Sequence, residues 1–486
     1  MDTPPIFLNT TFVYISKIKG KELVVGINRK TSCPQLSPTL LHHSAGMKKI
    51  VYLILDLESK YDLLKWDISG IFVWQSARIS IYLLLLQMTM PNNLYIDERK
   101  FFKKLKSMFI NRGLKNSLLL NPFIDPTKSE VLVFRSGRKY PVDSQYIDIY
   151  TKYLCDNLKQ SKISYTEYET TYFFEHLTRF DFKVKHIDFI TFTSKILSKL
   201  MNVSISAADI EKIKIIENEI YLVLHVRIDL HNIFVNQIKI FKSQYPFYKI
   251  LFKIKRPKEI YLINSTDKAP LICAAKDLNI IVNELQHGLI VKEGLVANYP
   301  NTAEDSLKYF PDKFFIWDNI NLFNSKLPLS SKNIVLFNNM HLEYMRRRTQ
   351  HIPRKNNQIL IISQPTVFQE LVNYLHENVN EMPNKQFIYK LHPQDHNLSC
   401  FASIYELSKY NNNLKVIDNE VSMYVLLAES KHVLGVYSTA LFEASFFKCD
   451  VLLLNLPGVE YASFLTAQGK ARLIETDDRL VKILGT

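Results

Sequence analysis

The chain has 486 residues, 47% of them hydrophobic and 22% charged, which excludes a disordered polymer and provides core for two ordinary domains. Its net charge is +14 and its pI is near 9.2, a balance that suits nucleic acid, anionic lipid or a phosphorylated substrate. The basic clusters Lys103–Lys106, Lys253–Lys258 and Arg346–Arg348 carry no RNA-binding or zinc-finger pattern, which argues against nucleic acid; each alone reads as a solvated face rather than a site for a membrane or an anionic glycan, and their sum as weak attraction to an anionic membrane.

Residues 1–46 are polar-mixed and show no secretory signal. The pattern changes at Met47, where MKKIVYLILDLES reads like a protein start with a first strand over Ile50–Leu57. Residues 1–46 are therefore expected to be an appendage, or an upstream start that the native protein does not use. Ile71–Met88 is the longest apolar stretch, but its unbroken run Ile81–Leu86 is far shorter than the roughly 20 residues a bilayer needs. It is expected to be a buried helix, with Arg78 in a structural ion pair.

Glu130–Ser136 reads as a strand and Ser144–Gln160 as an amphipathic helix. Residues 165–206 read as aromatic-rich and irregular, and Ala207–Lys249 as mostly helical. Strand KEIYLIN, helix PLICAAKDL and strand IIVNELQHG follow, then a short strand over Lys313–Asp318. Composition shifts at Asn321–Lys332, which divides the chain into domains 47–325 and 326–486. Beyond it, buried strands and helices alternate from QILIIS to VLLLNL, the signature of right-handed βαβ units and a parallel sheet.

Ligands of such sheets bind beyond the carboxyl ends of the strands. Three polar turns lie there: Ser363-Gln364-Pro365-Thr366, His392-Pro393-Gln394-Asp395 and Tyr437-Ser438-Thr439. In the last, a strand delivers hydroxyls to a helix N-terminus, whose unpaired amides and dipole favour a phosphate. Ser438 can cap that helix when it is empty. Glu443 lies one turn beyond Thr439, placed to accept hydrogen bonds from a ribose diol. A capped helix with Glu443 on its solvated side is the plainer reading of this stretch alone. Pro393 holds His392 extended at its strand end, where it can donate to a phosphate, and Lys390 alternates with it. Gln364 belongs to the same rim.

In the first domain, Glu284 and Gln286 share one face of their strand, and His287 stands at its exit. An imidazole there suits a general base, oriented by Glu284 or replaced by it. Gly288 lets the backbone turn and a substrate approach.

The combination ELQHG, YKLHP and YSTALFEA resembles bacterial surface-polysaccharide glycosyltransferases of the GT-B fold. It is similar to capsule-polymerising and sialic-acid transferases with a His-Pro and a Ser/Thr motif, and to the teichoic-acid CDP-glycerol glycerophosphotransferases. The resemblance covers about residues 47–486 and is strongest from Ile280 onward. It implies an α/β protein of two Rossmann-like domains facing across a cleft. The C-terminal domain would bind a nucleotide-sugar donor, its phosphates at His392, Ser438 and Thr439 and its ribose at Glu443; Gln364 and Lys390 join these donor-binding candidates by their place on the rim. The N-terminal one would present a glycan or lipid-linked acceptor and the base, His287; the reading of the residues adds Glu284 as the second catalytic candidate and Gln286 and Gly288 on the acceptor side. The chain departs from the teichoic-acid pattern at Gln286, where tryptophan is usual, and lacks the paired-acid-plus-glycine motif of sialyltransferases.

No D-x-D triplet falls at a strand end, so no metal and no separate cofactor is expected; helix dipole, hydroxyls and His392 would stabilise the departing phosphate. A base opposite the leaving group implies one displacement with inversion. Five scattered cysteines, Cys33, Cys155, Cys273, Cys400 and Cys449, point to a reducing compartment. With the basic charge, this leads to a cytoplasmic protein peripheral at the inner face of the plasma membrane, and the resemblance implies an enzyme building capsule or lipopolysaccharide there. A polyol-phosphate transferase, a nucleotide-sugar epimerase and a non-enzymatic basic binding protein are the rival readings.

Overall fold

The structure, a computed structural model, describes residues 42–89, 119–136, 139–142, 145–169, 184–317, 325–391, 402–418 and 421–485. It opens with helix α1 (His42–Tyr61), where a strand over Ile50–Leu57 was expected. Ile50, Ile54 and Leu57 are all buried, and their i, i+4, i+7 spacing is helical although the residues themselves favour strands. The helix runs through Met47 without a break.

A small hairpin, β1 (Asp67–Ile68) and β2 (Ile71–Phe72), leads into α2 (Val73–Thr89), the buried helix expected there. Arg78 pairs with Glu58 as expected, at 2.6 Å from Nε to Oε1, with both side chains buried. Its guanidinium also donates to the carbonyls of Leu295 and Asn298, so one ion pair ties α1 and α2 to the loop before Tyr299. No helix among the described residues is long and apolar enough to cross a membrane.

The first sheet begins at β3 (Val131–Phe134). The stretch Ser144–Gln160 is not one helix: a hairpin of β4 (Lys139–Val142) and β5 (Gln145–Asp148) occupies its start, and α3 (Lys152–Gln160) only its end. Asp148 makes the break, its carboxylate accepting from the amides of Tyr150 and Thr151 at 3.0 Å each. Residues 165–206, expected to be irregular, hold β6 (Tyr165–Glu169), β7 (Val184–His186) and α4 (Asp188–Leu200). Then come α5 (Ala207–Leu224), α6 (Leu230–Lys255), β8 (Glu259–Ile263), α7 (Ala269–Lys276), β9 (Ile281–Leu285), β10 (Lys313–Ile316) and β11 (Ile334–Leu336). The sheet order is β11-β10-β9-β8-β3-β6-β7, parallel throughout. Since β11 pairs with β10, the first sheet extends to Leu336, beyond the junction expected at 325.

The second domain follows the expected rhythm. Helix α8 (Met340–Thr349) precedes β12 (Lys355–Ile362), α9 (Phe368–Asn378), β13 (Gln386–Lys390), α10 (Ala402–Tyr410) and β14 (Leu414–Ile417). The chain returns through α11 (Met423–Glu429), β15 (Ser430–Gly435), α12 (Thr439–Phe446), β16 (Asp450–Leu454) and β17 (Ala471–Ile474). All strands are parallel in the order β14-β13-β12-β15-β16-β17.

In both sheets the chain runs outward from the first strand, then returns to that strand's other side. Each therefore has a topological switch point, between β3 and β8 and between β12 and β15, where doubly wound sheets open a crevice. Two such α/β domains meeting along a shared cleft make the GT-B architecture.

Candidate active site

The second domain's switch point carries two of the three expected turns. The first leaves β12 as Ser363-Gln364-Pro365-Thr366; the second leaves β15 as Tyr437-Ser438-Thr439. They touch through the hydroxyls of Thr366 and Tyr437. Gly458 closes the same corner: its φ is +96°, and an added Cβ would lie 2.4 Å from the Tyr437 ring. Gly435 lets α12 lie close on β15, since a Cβ there would meet a Leu441 methyl at 2.9 Å. The third turn, with His392, lies outside the described residues.

Ser438 caps α12 as expected, its side chain accepting from the Ala440 amide at 3.2 Å. Thr439 and Glu443 stand one above the other on the helix and are both buried. Glu443 is thus turned inward rather than onto a solvated face. Gln364 and Lys390 are buried in this rim but are not among the residues lining the cleft described below; the Lys390 ammonium donates to the carbonyl of Leu391 at 3.3 Å.

His287 leaves β9 half-buried, its backbone carbonyl accepting from the Tyr150 hydroxyl at 2.9 Å. Gln286 acts as a clamp between strand ends. Its amide oxygen accepts from the Trp317 amide at 2.7 Å and its nitrogen donates to the Gly288 carbonyl at 2.8 Å. Gly288 meets no atom within 4 Å of an added Cβ, and its φ is outside the left-handed region, so the backbone there does not require glycine.

Glu284 is fully buried, and neither carboxylate oxygen has a hydrogen-bond partner of ordinary geometry. Burial raises its carboxyl to about 7, opposed by Ser265 and Lys268 at the start of α7. It faces that turn, and it is not among the residues lining the cleft with His287.

One narrow cleft, part of it open to solvent, joins the two halves. His287, Tyr150 and Trp317 line it from the first domain; Thr439 and Glu443 line it from the second. Stacked rings hold the walls together: Tyr150 on Trp317 at 6.5 Å, and Trp317 on Phe442 of α12 at 6.2 Å. The packing of Phe442 keeps the N-terminus of α12 aimed across the joint.

The sequence reading missed His341, Tyr424, Tyr150 and Trp317. His341 is buried on the first turn of α8, 3.2 Å from the Tyr153 hydroxyl and edge-on to Tyr424 at 5.4 Å. Its only signal was a histidine two residues after Asn339, a helix cap whose side chain accepts from the Leu342 amide. Among the described residues, no group of three or more His, Cys, Asp or Glu side chains is arranged to hold a metal ion.

Chemically, the cleft offers the first turn of α12 with the Thr439 hydroxyl, a carboxylate one turn in, and an imidazole on the opposite wall; Ser438 stands behind it as the helix cap. No protein-family model matches the chain, and no curated protein matches it. Among solved structures it is similar to the UDP-GlcNAc 2-epimerase from Neisseria meningitidis bound to UDP-GlcNAc, at 14% identity and a TM-score of 0.43, over 71% of this chain and 87% of that one. It is similar to a putative UDP-N-acetylglucosamine 2-epimerase from Listeria monocytogenes, at 13% identity and TM-score 0.44, over 72% and 85%. It is also similar to the glycotransferase of kitacinnamycin, at 10% identity and TM-score 0.43, over 74% and 91%.

Proposed function

We propose that the chain is a nucleotide-sugar-dependent glycosyltransferase, metal-independent and inverting, that extends a surface glycan or lipid-linked acceptor of capsule or lipopolysaccharide. The observation that carries this is the shared cleft, with His287 on one wall and Thr439 and Glu443 on the other. The donor's phosphates sit at the start of α12, where Ser438 gives up its cap to bind them and the dipole opposes their charge. Glu443 accepts from the ribose hydroxyls. His287 takes the proton of the acceptor hydroxyl, whose oxygen bonds to the anomeric carbon as the bond to phosphate breaks. The departing electron pair goes to the nucleotide phosphate, stabilised by the fixed donors of α12.

Thermal-shift screening against CMP, CDP, UDP and GDP tests this without knowledge of the acceptor. A nucleotide at 100 times its Kd stabilises the fold by about 2.7 kcal/mol. If none of the four raises the Tm, the donor site is wrong. A nucleotide-sugar epimerase is the second reading, favoured by the presence of His287, His341 and Glu443 around one small space. Changed sugar stereochemistry with no acceptor present, with solvent deuterium incorporated, selects it; acceptor-dependent release of nucleotide selects the transferase.

A further inference from the structure

Helix α6 contains no aspartate or glutamate in its 26 residues. Lys255 points inward to Asp125, but Lys239, Lys242, Lys249 and Lys253 fall within one stripe of roughly 100° by the 3.6-residue period. Pro246 and Ile250 lie in the same stripe, and Ile250 is 49% exposed. Helix α4 packs alongside, Phe189 against Phe247 at 5.8 Å and the Ser194 hydroxyl 3.4 Å from the Ser243 carbonyl. After Asp188 in its first turn its only charges are Lys195 and Lys199. It exposes Ile196 (50%), Leu197 (39%) and Leu200 (76%).

Exposed aliphatic side chains among lysines, with no acid on either helix after Asp188, match a surface that is apolar just below an anionic layer; the one acid beside the stripe, Asp277, accepts from the Tyr245 hydroxyl to which Lys249 donates. The neighbouring helix α5 shows the contrast: it also exposes Ile215 and Leu222, but carries Asp209, Glu211, Glu217 and Glu219. The geometry points to α4 and α6 as a membrane-docking face, in which Ile196, Leu197 and Leu200 enter the headgroup boundary of an anionic bilayer and the lysines bind its phosphates. This assignment does not depend on the nucleotide reading.

The test is co-sedimentation of the full chain with vesicles of phosphatidylcholine alone and of phosphatidylcholine with phosphatidylglycerol, at low and high salt. Partition onto the anionic vesicles at low salt is expected to exceed that onto the neutral ones more than tenfold. The triple variant Lys199→Glu, Lys242→Glu, Lys253→Glu is expected to lose this preference. The double variant Ile196→Ser, Leu200→Ser keeps salt-sensitive recruitment but loses the fraction that resists high salt. Thermal unfolding of each variant checks that its fold is intact, and the nucleotide shift is read separately. Equal partition onto both vesicles, or a triple variant that binds like the parent, overturns the proposal. So does a concentration-dependent dimer that the double variant abolishes while no vesicle is bound.

Discussion

The two switch points share one topology and differ in what fills them. Beyond β3, Arg135 pairs with Glu167 at 2.5 Å and with Glu169 at 3.5 Å. Lys139 meets Glu169 at 2.6 Å with both side chains buried, and Asp148 accepts from the amide and hydroxyl of Ser136. That crevice is closed by its own charges. Beyond β12 and β15 the rim is hydroxyls, amide groups and a helix N-terminus. Topology opens a crevice in each half, and the local charge then decides which half can admit an anionic ligand.

The largest expected effect separates chemistry from grip. Once the nucleotide screen has identified a donor, His287→Ala should lower kcat by about 10²–10⁴ while the nucleotide Kd stays unchanged. Isothermal titration beside a rate assay reads both, and a variant that loses nucleotide affinity instead would place the histidine on the donor side. Glu169→Ala breaks the sealed crevice, leaving Lys139 buried without its partner. A loss of about 3–5 kcal/mol in urea unfolding is expected, with the nucleotide-induced shift retained in the folded fraction.

Glu284 gives a pH signature. Its folded pKa, about 7, lies above the 4.5 of the unfolded chain, so the folded state holds the extra proton between those values. The stabilising contribution is complete below 4.5 and is lost as pH rises through 7, by up to about 3 kcal/mol. Glu284→Gln should flatten that part of the stability profile; an unchanged slope would show that the carboxyl is not the source. On the open side, Glu443→Gln should weaken nucleoside binding by about 1.5–3 kcal/mol, the worth of a charged hydrogen bond, with little change for a probe lacking ribose such as pyrophosphate. The smallest effect is Gly288→Ala, which the open space and ordinary φ predict to be within about 0.5 kcal/mol of the parent in unfolding.

The second domain was legible because its signals are local. Each strand from Lys355 to Leu454 is an apolar run ended by a polar turn, and each helix between them has a buried face of the right period. In the first domain, local signals conflicted. VYLIL has strand-favouring residues at helical spacing, and Asp148 stops a helix that the apolar pattern alone would extend. The capped turn before α12 and the i,i+4 pair Thr439 and Glu443 were readable for the same reason, as both lie within one helix turn. Gly288, read as a turn device, is not required by its backbone.

The sequence by itself determined a parallel α/β second domain, the polar rim at the ends of its strands, and a histidine leaving β9. Only the tertiary structure decided the cleft. It brought Tyr150 to His287 across 137 residues, placed His341 and Trp317 beside them, and turned Glu443 inward. It also left Glu284 apart from His287, facing Ser265 and Lys268. Residue periodicity reports how a segment folds against a core of either sign. Which side chains then meet across two domains depends on packing between distant surfaces, and no local spacing carries that information.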